Sequence, residues 1–374
     1  MKIALIAGAR PNFMKVAPIL EALSRRREAE TLLVHTGQHY DQKMSGDFFA
    51  DLGIPAPDVN LGIGAGSHAE QTARAMVTFE GVCMNAKPDW VVVVGDVNST
   101  LACTLAAKKL CLQVAHVEAG LRSGDWSMPE EINRLCVDAI SDLLFTTDEL
   151  ASQNLRREGV PEERIHFVGN TMIDTLLRHL PRALGLPLPA NVEENRYAVL
   201  TLHRPATVDS PEALSAVLKV MAELSSQLPI IFPVHPRTRK HIQEFGLAHL
   251  LSSNVTLLDP LSYLPFIGLA ARARMILTDS GGIQEEATVL RIPCITMRPN
   301  TERPITCSLG TNILAGTDPV KIRSAIHAVL EGRVKHGAIP EKWDGRAAER
   351  IVQILLSRDA ALSANQPDEE LILV

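Results

Sequence analysis

The sequence predicts an α/β protein made of two doubly wound parallel-sheet domains with a cleft between them. Three observations predict this class. The chain has 374 residues, more than one typical domain core holds. Short, nearly continuous apolar segments alternate with helical patterns along the chain, as in parallel sheets covered on both faces. A segment with three prolines and a glycine, residues 180–190, separates two such series and predicts an interdomain crossing.

The first series predicts a domain over residues 1–175. Its predicted strands are residues 2–7, 31–36, 90–94, 113–117 and 142–146. Its predicted helices lie near residues 13–27, 67–86, 99–109 and 130–140.

The second series predicts a domain over residues 190–344. Its predicted strands are residues 197–201, 230–234, 255–258, 274–278 and 293–297. Its predicted helices lie near residues 211–226, 262–271, 281–290 and 318–331. A last helical pattern, residues 345–358, is expected to join the first domain.

Composition narrows the function class. The formal charge of −6 gives no reason to expect nucleic acid as a partner, and no apolar run is long enough to predict membrane insertion. The six cysteines form no CxxC pair and suit small buried thiols in a reducing cytoplasm. No histidine spacing predicts a metal site, and no GxGxxG motif predicts a dinucleotide, so we expect no cofactor.

The run TDSGGIQEE, residues 278–286, is the most informative segment. It follows a predicted strand and opens a predicted helix, so the backbone amides near Ser280, Gly281 and Gly282 could bind a diphosphate. Glu286 follows Gly282 by one helical turn and could accept hydrogen bonds from ribose hydroxyls. The alternative is a strand–helix junction in which the glycines only permit the turn.

Polar residues also follow strands of the first series, where open parallel sheets bind ligands. Arg10 and Lys15 follow the first strand and could bind an anion. Asp96 follows the third strand, and its alternative role is to cap a helix. Glu118 lies in an otherwise apolar line, which predicts either a catalytic acid or a structural ion pair with Arg122.

Two further pairs of adjacent polar residues are candidates for the site. Glu130 and Glu131 follow Pro129, and acids there favour a helix start. That role accounts for one glutamate, and the other is expected to face the cleft. His203 and Arg204 end the first strand of the second series and suit anion recognition or proton transfer.

These clusters, in this order, resemble the non-hydrolysing UDP-N-acetylglucosamine 2-epimerases. The resemblance runs over nearly the whole chain and rests on the following motifs: GARPNFMKVAP, TGQHYD, GDVNSTLA, HVEAGLRSGD, PEEINR, VGNTMIDTL, HR, PVHPR, LTDSGGIQEE and TERP. It implies two Rossmann-like domains in a glycosyltransferase-B-like fold, a UDP-sugar substrate, a cytoplasmic homodimer and neither metal nor nicotinamide.

The resemblance also implies roles for individual residues. The implied catalytic residues are Asp96, Glu118, Glu130 and His203. The implied substrate-binding residues are Arg10, Lys15, Arg134, Arg204, Tyr263, Phe266, Ser280, Gly281, Gly282, Glu286 and Arg303. Gln38 and His39 match a region that contacts a second, regulatory UDP-N-acetylglucosamine in some members.

The chain departs from the family pattern after Arg204. Many members continue with polar residues that include Glu-Asn, whereas this chain has residues 205–209, PATVD. This departure leaves open which UDP-sugar is accepted. The alternative to UDP-N-acetylglucosamine is a modified relative such as a diacetamido uronate. Three rival functions remain open: a UDP-sugar glycosyltransferase, a hydrolysing 2-epimerase, and a UDP-sugar sensor without turnover.

Overall fold

The structure is a computed structural model that describes residues 1–37, 51–190 and 192–364. Two parallel sheets form the framework of the molecule. The strands of the first sheet are Lys2–Ala7 (β1), Glu30–His35 (β2), Val59–Asn60 (β3), Trp90–Val94 (β4), Gln113–Ala119 (β5), Leu143–Thr146 (β6) and Ile165–Phe167 (β7). The strands of the second sheet are Ala198–Thr201 (β8), Ile230–Pro233 (β9), Val255–Leu258 (β10), Met275–Thr278 (β11), Cys294–Thr296 (β12) and Asn312–Leu314 (β13).

Helices connect successive strands and cover both faces of each sheet. Those of the first half are Arg10–Ser24 (α1), His68–Ala86 (α2), Asn98–Lys109 (α3), Pro129–Ile140 (α4), Glu149–Arg157 (α5) and Thr171–Leu184 (α6). Those of the second half are Pro205–Val208 (α7), Pro211–Ser225 (α8), Pro236–Glu244 (α9), Tyr263–Ala270 (α10), Gly281–Leu290 (α11), Pro304–Ser308 (α12), Pro319–Leu330 (α13) and Ala347–Ala364 (α14). None of the helices in these ranges is long and apolar enough to cross a membrane.

The strand order confirms the predicted doubly wound α/β class. The first sheet runs β3-β2-β1-β4-β5-β6-β7 and the second runs β10-β9-β8-β11-β12-β13. The paired strands of both sheets are parallel. In each sheet the chain order reverses between two central strands, β1 with β4 and β8 with β11, and ligands bind at the carboxyl ends of such strands.

The predicted crossing at residues 180–190 is helical in its first part. Helix α6 continues to Leu184 and contains Pro181. Its buried face runs from Thr171 to Ala183. We infer that packing of this face offsets the hydrogen bond that Pro181 cannot donate.

The last helix packs against the first sheet rather than the second. Ile351, Val352 and Leu355 of α14 are buried in the same apolar cluster as residues of β1 and β4. The carboxylate of Asp174 accepts hydrogen bonds from the first two backbone amides of α14, at 3.1 and 2.7 Å. The helix was predicted over residues 345–358 and spans Ala347–Ala364.

Candidate functional site

The carboxyl ends of the central strands of both sheets line one cavity of about 260 Å³. Asp96 and Val97 reach it from the end of β4, and His203 and Arg204 from the end of β8. The start of α11, directly after β11, forms part of its wall. Polar groups that lie far apart in the sequence therefore meet where the two sheets face each other.

The start of α11 provides the amides of the predicted diphosphate site. Ser280 precedes the helix in an extended conformation and makes no side-chain capping hydrogen bond. The first amides of a helix have no partner within it, so they can bind an anion. Gly281 is required by its neighbours, because a Cβ there would lie 2.6 Å from Arg303 Nη1 and 2.7 Å from Glu302 Oε1. A Cβ at Gly282 would meet only the flexible end of Met172.

A second cavity, of about 290 Å³, adjoins the first along Ser280 and Glu286. Phe266 and Tyr263 of α10 line it, as does His203. The Tyr263 hydroxyl donates a hydrogen bond to Glu286 Oε1 at 3.0 Å. Burial, with a contribution from the charge of Glu285, raises the pKa of Glu286 to about 8 although the Tyr263 hydrogen bond opposes this. Tyr263 and Phe266 thus place aromatic rings on the α10 side of this cavity, and Glu286 places a carboxyl group at its border with the first cavity.

Glu118 occupies an irregular position in β5. The register of β5 against β6 shifts between Val117 and Ala119, and Glu118 has a φ of 73°. Such a bulge redirects one side chain out of the regular alternation of a strand. A non-glycine residue in this conformation is unusual and is found preferentially at functional sites.

The partners of Glu118 differ from the structural alternative considered from the sequence. Its carboxylate pairs with Lys15 Nζ and, at 2.7 Å, with Arg303 Nη2. Burial alone would raise the pKa of Glu118, but attraction to Lys15 and Arg303 outweighs it and lowers the pKa. Arg122 pairs with Asp138 and Glu158 instead.

Arg303 is a buried hub of ion pairs whose side chain also lines the cavity. Besides Glu118, its guanidinium pairs with Glu302 and, at 2.9 Å, with Glu285 Oε2. Glu285 also accepts a hydrogen bond from Asn170 at 2.9 Å. Burial raises the pKa of Glu285 to about 7, with Arg303 opposing the shift. The hub links residues of both sheets, because Glu118 and Asn170 belong to the first half of the chain.

Asp96 faces the cavity and is held by Arg134. The Arg134 guanidinium is buried and pairs with both Asp96 and Glu131. Glu131 also accepts backbone hydrogen bonds from Ser123 and Gly124. Helix α3 is capped by neither Asp96 nor any other side chain, so Asp96 is not the helix cap.

The two glutamates after Pro129 have separate environments. Glu131 is buried among Arg134 and the 123–124 loop, which is a structural role. Glu130 lines the cavity and lies 3.6 Å from Arg204 Nη1 of the opposite sheet. Both glutamates lie in the first turn of α4, and of the two only Glu130 lines the cavity.

His203 lines both cavities and is anchored by Asp279. Its Nδ1 lies 2.9 Å from Asp279 Oδ1, and Asp279 Oδ2 accepts the backbone amides of His203 and Arg204, each at 2.9 Å. Burial would raise the pKa of Asp279, but the hydrogen bonds from His203 and from these amides lower it. Arg204 precedes the short helix α7, which holds the residues that depart from the family pattern.

The remaining predicted site residues lie near the start of the chain. Arg10 is the first residue of α1 and follows the end of β1 closely. Lys15, five residues on, lines the cavity, and its Nζ pairs with the buried Glu118. Gln38 and His39 lie outside the described residues. Within the described ranges, no group of three or more His, Cys, Asp or Glu side chains could hold a metal ion.

Sequence reasoning missed three buried carboxylates that support the site. Asp279 and Glu285 lie inside the run that was analysed for phosphate and ribose binding, and Glu302 lies inside the TERP motif. All three are at most 3% exposed. An acid in a segment that is predicted to be buried is the signal that could have found them, because a buried charge needs a partner.

Comparison with known proteins identifies one family over most of the chain. The family model for UDP-N-acetylglucosamine 2-epimerase matches residues 21–356. A UDP-N-acetylglucosamine 2-epimerase from Methanocaldococcus jannaschii is 43% identical over 369 residues, which cover 95% of this chain and 99% of the relative. A UDP-2,3-diacetamido-2,3-dideoxy-D-glucuronate 2-epimerase from Pseudomonas aeruginosa is 41% identical over 361 residues, which cover 95% of this chain and 99% of the relative.

A solved structure has the same fold. The crystal structure of the M. jannaschii UDP-GlcNAc 2-epimerase in complex with UDP-GlcNAc and UDP matches with a TM-score of 0.87 at 42% identity, covering 96% of this chain and 100% of that chain. Fold, motif order and family model agree, and the chain is therefore an isomerase that belongs to the UDP-N-acetylglucosamine 2-epimerase family.

Proposed function

We propose that the chain reversibly inverts C2 of UDP-N-acetylglucosamine to give UDP-N-acetylmannosamine. The observation that carries the proposal is a single cavity lined by Asp96, Glu130 and the glycine-rich start of α11. Lys15, which also lines it, pairs with the buried Glu118. The helix start suits a diphosphate, and the carboxylates suit proton transfer. The UDP-GlcNAc bound to the M. jannaschii relative supports this choice of ligand.

The nucleotide half of the substrate fits the second sheet. The diphosphate is assigned to Ser280, Gly281 and Gly282, and the ribose to Glu286. The uracil is assigned to the apolar side of the adjoining cavity, next to Tyr263 and Phe266. The sugar then extends toward Asp96 and Glu130 on the opposite wall.

The reaction proceeds by elimination and re-addition of UDP. The C1–O bond breaks, and its electron pair goes to the β-phosphate oxygen. A carboxylate takes the C2 proton, and the C2–H electron pair forms a double bond between C1 and C2. Re-addition of UDP at C1, with protonation of C2 from the other face, gives the epimer. UDP must leave first because C2 has no adjacent carbonyl, and its proton is therefore not acidic in the intact sugar.

The protein assists both halves of this step. Backbone amides at the start of α11 and the nearby cations stabilise the negative charge that develops on the diphosphate. Asp96, Glu118 and Glu130 share proton removal and return, because protons must be handled on opposite faces of C2. Glu118 enters the reaction as an anion, since Lys15 and Arg303 hold its pKa low.

The direct test is a proton NMR time course with UDP-N-acetylglucosamine as the only substrate. We expect signals of UDP-N-acetylmannosamine to appear until a fixed ratio is reached. Accumulation of free N-acetylmannosamine with UDP would support a hydrolysing enzyme, and turnover only with an added acceptor would support a glycosyltransferase. Binding of the nucleotide sugar without any conversion would support a sensor.

The relative from P. aeruginosa motivates a second substrate in the same assay. Its name assigns it a diacetamido glucuronate, and it is nearly as similar to this chain as the UDP-GlcNAc enzyme is. Parallel time courses with the two nucleotide sugars at equal concentration rank them by kcat/KM. Faster conversion of the uronate would replace UDP-N-acetylglucosamine as the proposed substrate.

We further propose that the chain works as a homodimer in the cytoplasm, with domains over residues 1–175 and 190–344. Its substrate is a nucleotide sugar, and the chain carries free cysteines that suit a reducing compartment. Light scattering coupled to size-exclusion chromatography measures the assembly directly. A mass near the 40.7 kDa of one chain would contradict the dimer.

A further inference from the structure

Asp279 is a buried carboxylate beside the site that the reaction scheme does not use. It is 0% exposed and lies directly after β11, between the end of the strand and the diphosphate loop. All described contacts of its carboxylate oxygens go to one short segment, residues 203–204. A buried carboxylate devoted to one neighbouring residue pair calls for an explanation beyond general stability.

We propose that Asp279 is a positioning residue that fixes the ring orientation and the tautomer of His203. The ring nitrogen Nδ1 lies 2.9 Å from Asp279 Oδ1. An ionised carboxylate has no proton to donate, so Nδ1 must carry the proton of this hydrogen bond. The other nitrogen, Nε2, is then the one available to a ligand in the two cavities that His203 lines.

The backbone contacts of Asp279 strengthen this assignment. Oδ2 accepts the amides of His203 and Arg204, each at 2.9 Å, so the carboxylate fixes the main chain as well as the ring. These two amides and the ring lower the pKa of Asp279 although burial opposes them. The acceptor therefore stays ionised, and the direction of the His203 hydrogen bond does not change.

The chemical consequence lies at the leaving group. With Nδ1–H directed at Asp279, Nε2 can donate a hydrogen bond to a phosphate oxygen when the ring is protonated and accept one when it is neutral. The opposite tautomer would present Nε2–H permanently and leave Nδ1 as an acceptor facing a carboxylate. This consequence for turnover rests on the proposed function, whereas the tautomer itself does not.

Asp279→Asn tests the tautomer because it preserves shape and inverts one hydrogen bond. The asparagine oxygen can still accept backbone amides, but its NH₂ group donates to Nδ1 and forces the proton to Nε2. We would label the protein with ¹⁵N-histidine and measure the two ring-nitrogen shifts of His203 at alkaline pH, where the ring is neutral. His203→Gln identifies its signals among the twelve histidines.

In the wild-type protein we expect Nδ1 to be protonated and Nε2 to be bare, the tautomer that free histidine favours less. In Asp279→Asn we expect the reverse, with kcat lowered about 100-fold, the scale of one general acid–base contribution, and a smaller change in KM. Asp174→Asn is the matched control, since Asp174 is also buried and also accepts two backbone amides. It should leave the His203 shifts unchanged.

A protonated Nε2 in the wild-type protein would overturn the inference, and this reading needs no variant to fold. The same tautomer in wild type and Asp279→Asn would overturn it too, as would an inverted tautomer with unchanged kcat. Absence of epimerase activity in the wild-type protein would contradict the proposed function alone, because the ring shifts are measured without substrate.

Discussion

Glu118 is the residue on which the proposed chemistry most depends. It combines a left-handed backbone conformation, burial and two cationic partners from different halves of the chain. A carboxylate with these features is an anion at neutral pH and is fixed in direction. The bulge that creates its position could not be predicted from the sequence, because the apolar line HVEAG matches an uninterrupted strand.

Glu118→Gln should lower kcat by about 10²–10⁴-fold, the usual scale of an acid–base group. The amide keeps the shape of the side chain but removes the charge that Lys15 and Arg303 compensate. Steady-state kinetics and a UDP titration separate loss of turnover from loss of binding. Glu223→Gln, which removes an exposed carboxylate paired with Arg323, is the control. A kcat near that of wild type in Glu118→Gln would remove this residue from the mechanism.

Gly281 is the residue at which space is most limited. Gly281→Ala places a methyl group 2.6 Å from Arg303 Nη1 and should displace the guanidinium from its carboxylates. We expect a large loss of kcat/KM in the epimerase assay. The control is Gly81→Ala in the middle of α2, where a Cβ meets nothing within 4 Å. Equal activity of the two variants would show that the added methyl group does not disturb the ion pairs of Arg303.

At the scale of elements, the central strands and the edge strand β10 were predictable, whereas the other three edge strands were not. Strands such as β4 and β11 are apolar runs that only a buried parallel sheet explains. The edge strands β3, β7 and β13 have two or three residues each, too few for a periodic pattern. Asp279 follows β11 directly, and an acid at the end of a predicted buried strand is the signal that it needs a partner.

Helix α14 makes a prediction about pH. Burial raises the pKa of Asp174 to about 6 against hydrogen bonds from the first amides of α14. Because the folded pKa exceeds the unfolded one, the folded chain binds the proton more tightly, and this contribution is lost as pH rises from about 4 through 6. The loss is at most about 3 kcal/mol, since each pKa unit corresponds to about 1.4 kcal/mol.

Urea unfolding of wild type and Asp174→Asn across this pH range measures that contribution. The free energy of unfolding of the variant relative to wild type should increase as pH rises from about 4 to 6 and then level off. A difference that stays constant over the range would mean that Asp174 does not titrate there.

At the scale of the whole molecule, polar contacts connect the two sheets across the cleft. Glu118 pairs with Arg303, Glu130 lies 3.6 Å from Arg204, and Asn170 donates to Glu285. These contacts bring together motifs that lie far apart in the sequence. Each half of the chain supplies one side of every pair, so the proposed site is completed only when both sheets have folded.

The measurement that tests the central claim most directly is epimerisation in heavy water. If the C2 proton leaves to a carboxylate and returns from the other face, solvent deuterium should appear at C2 of UDP-N-acetylmannosamine and, through the reverse reaction, of UDP-N-acetylglucosamine. Glu118→Gln should slow both exchange and epimerisation. Product that retains its original proton at C2 would contradict elimination and re-addition, and with it the role of the three carboxylates.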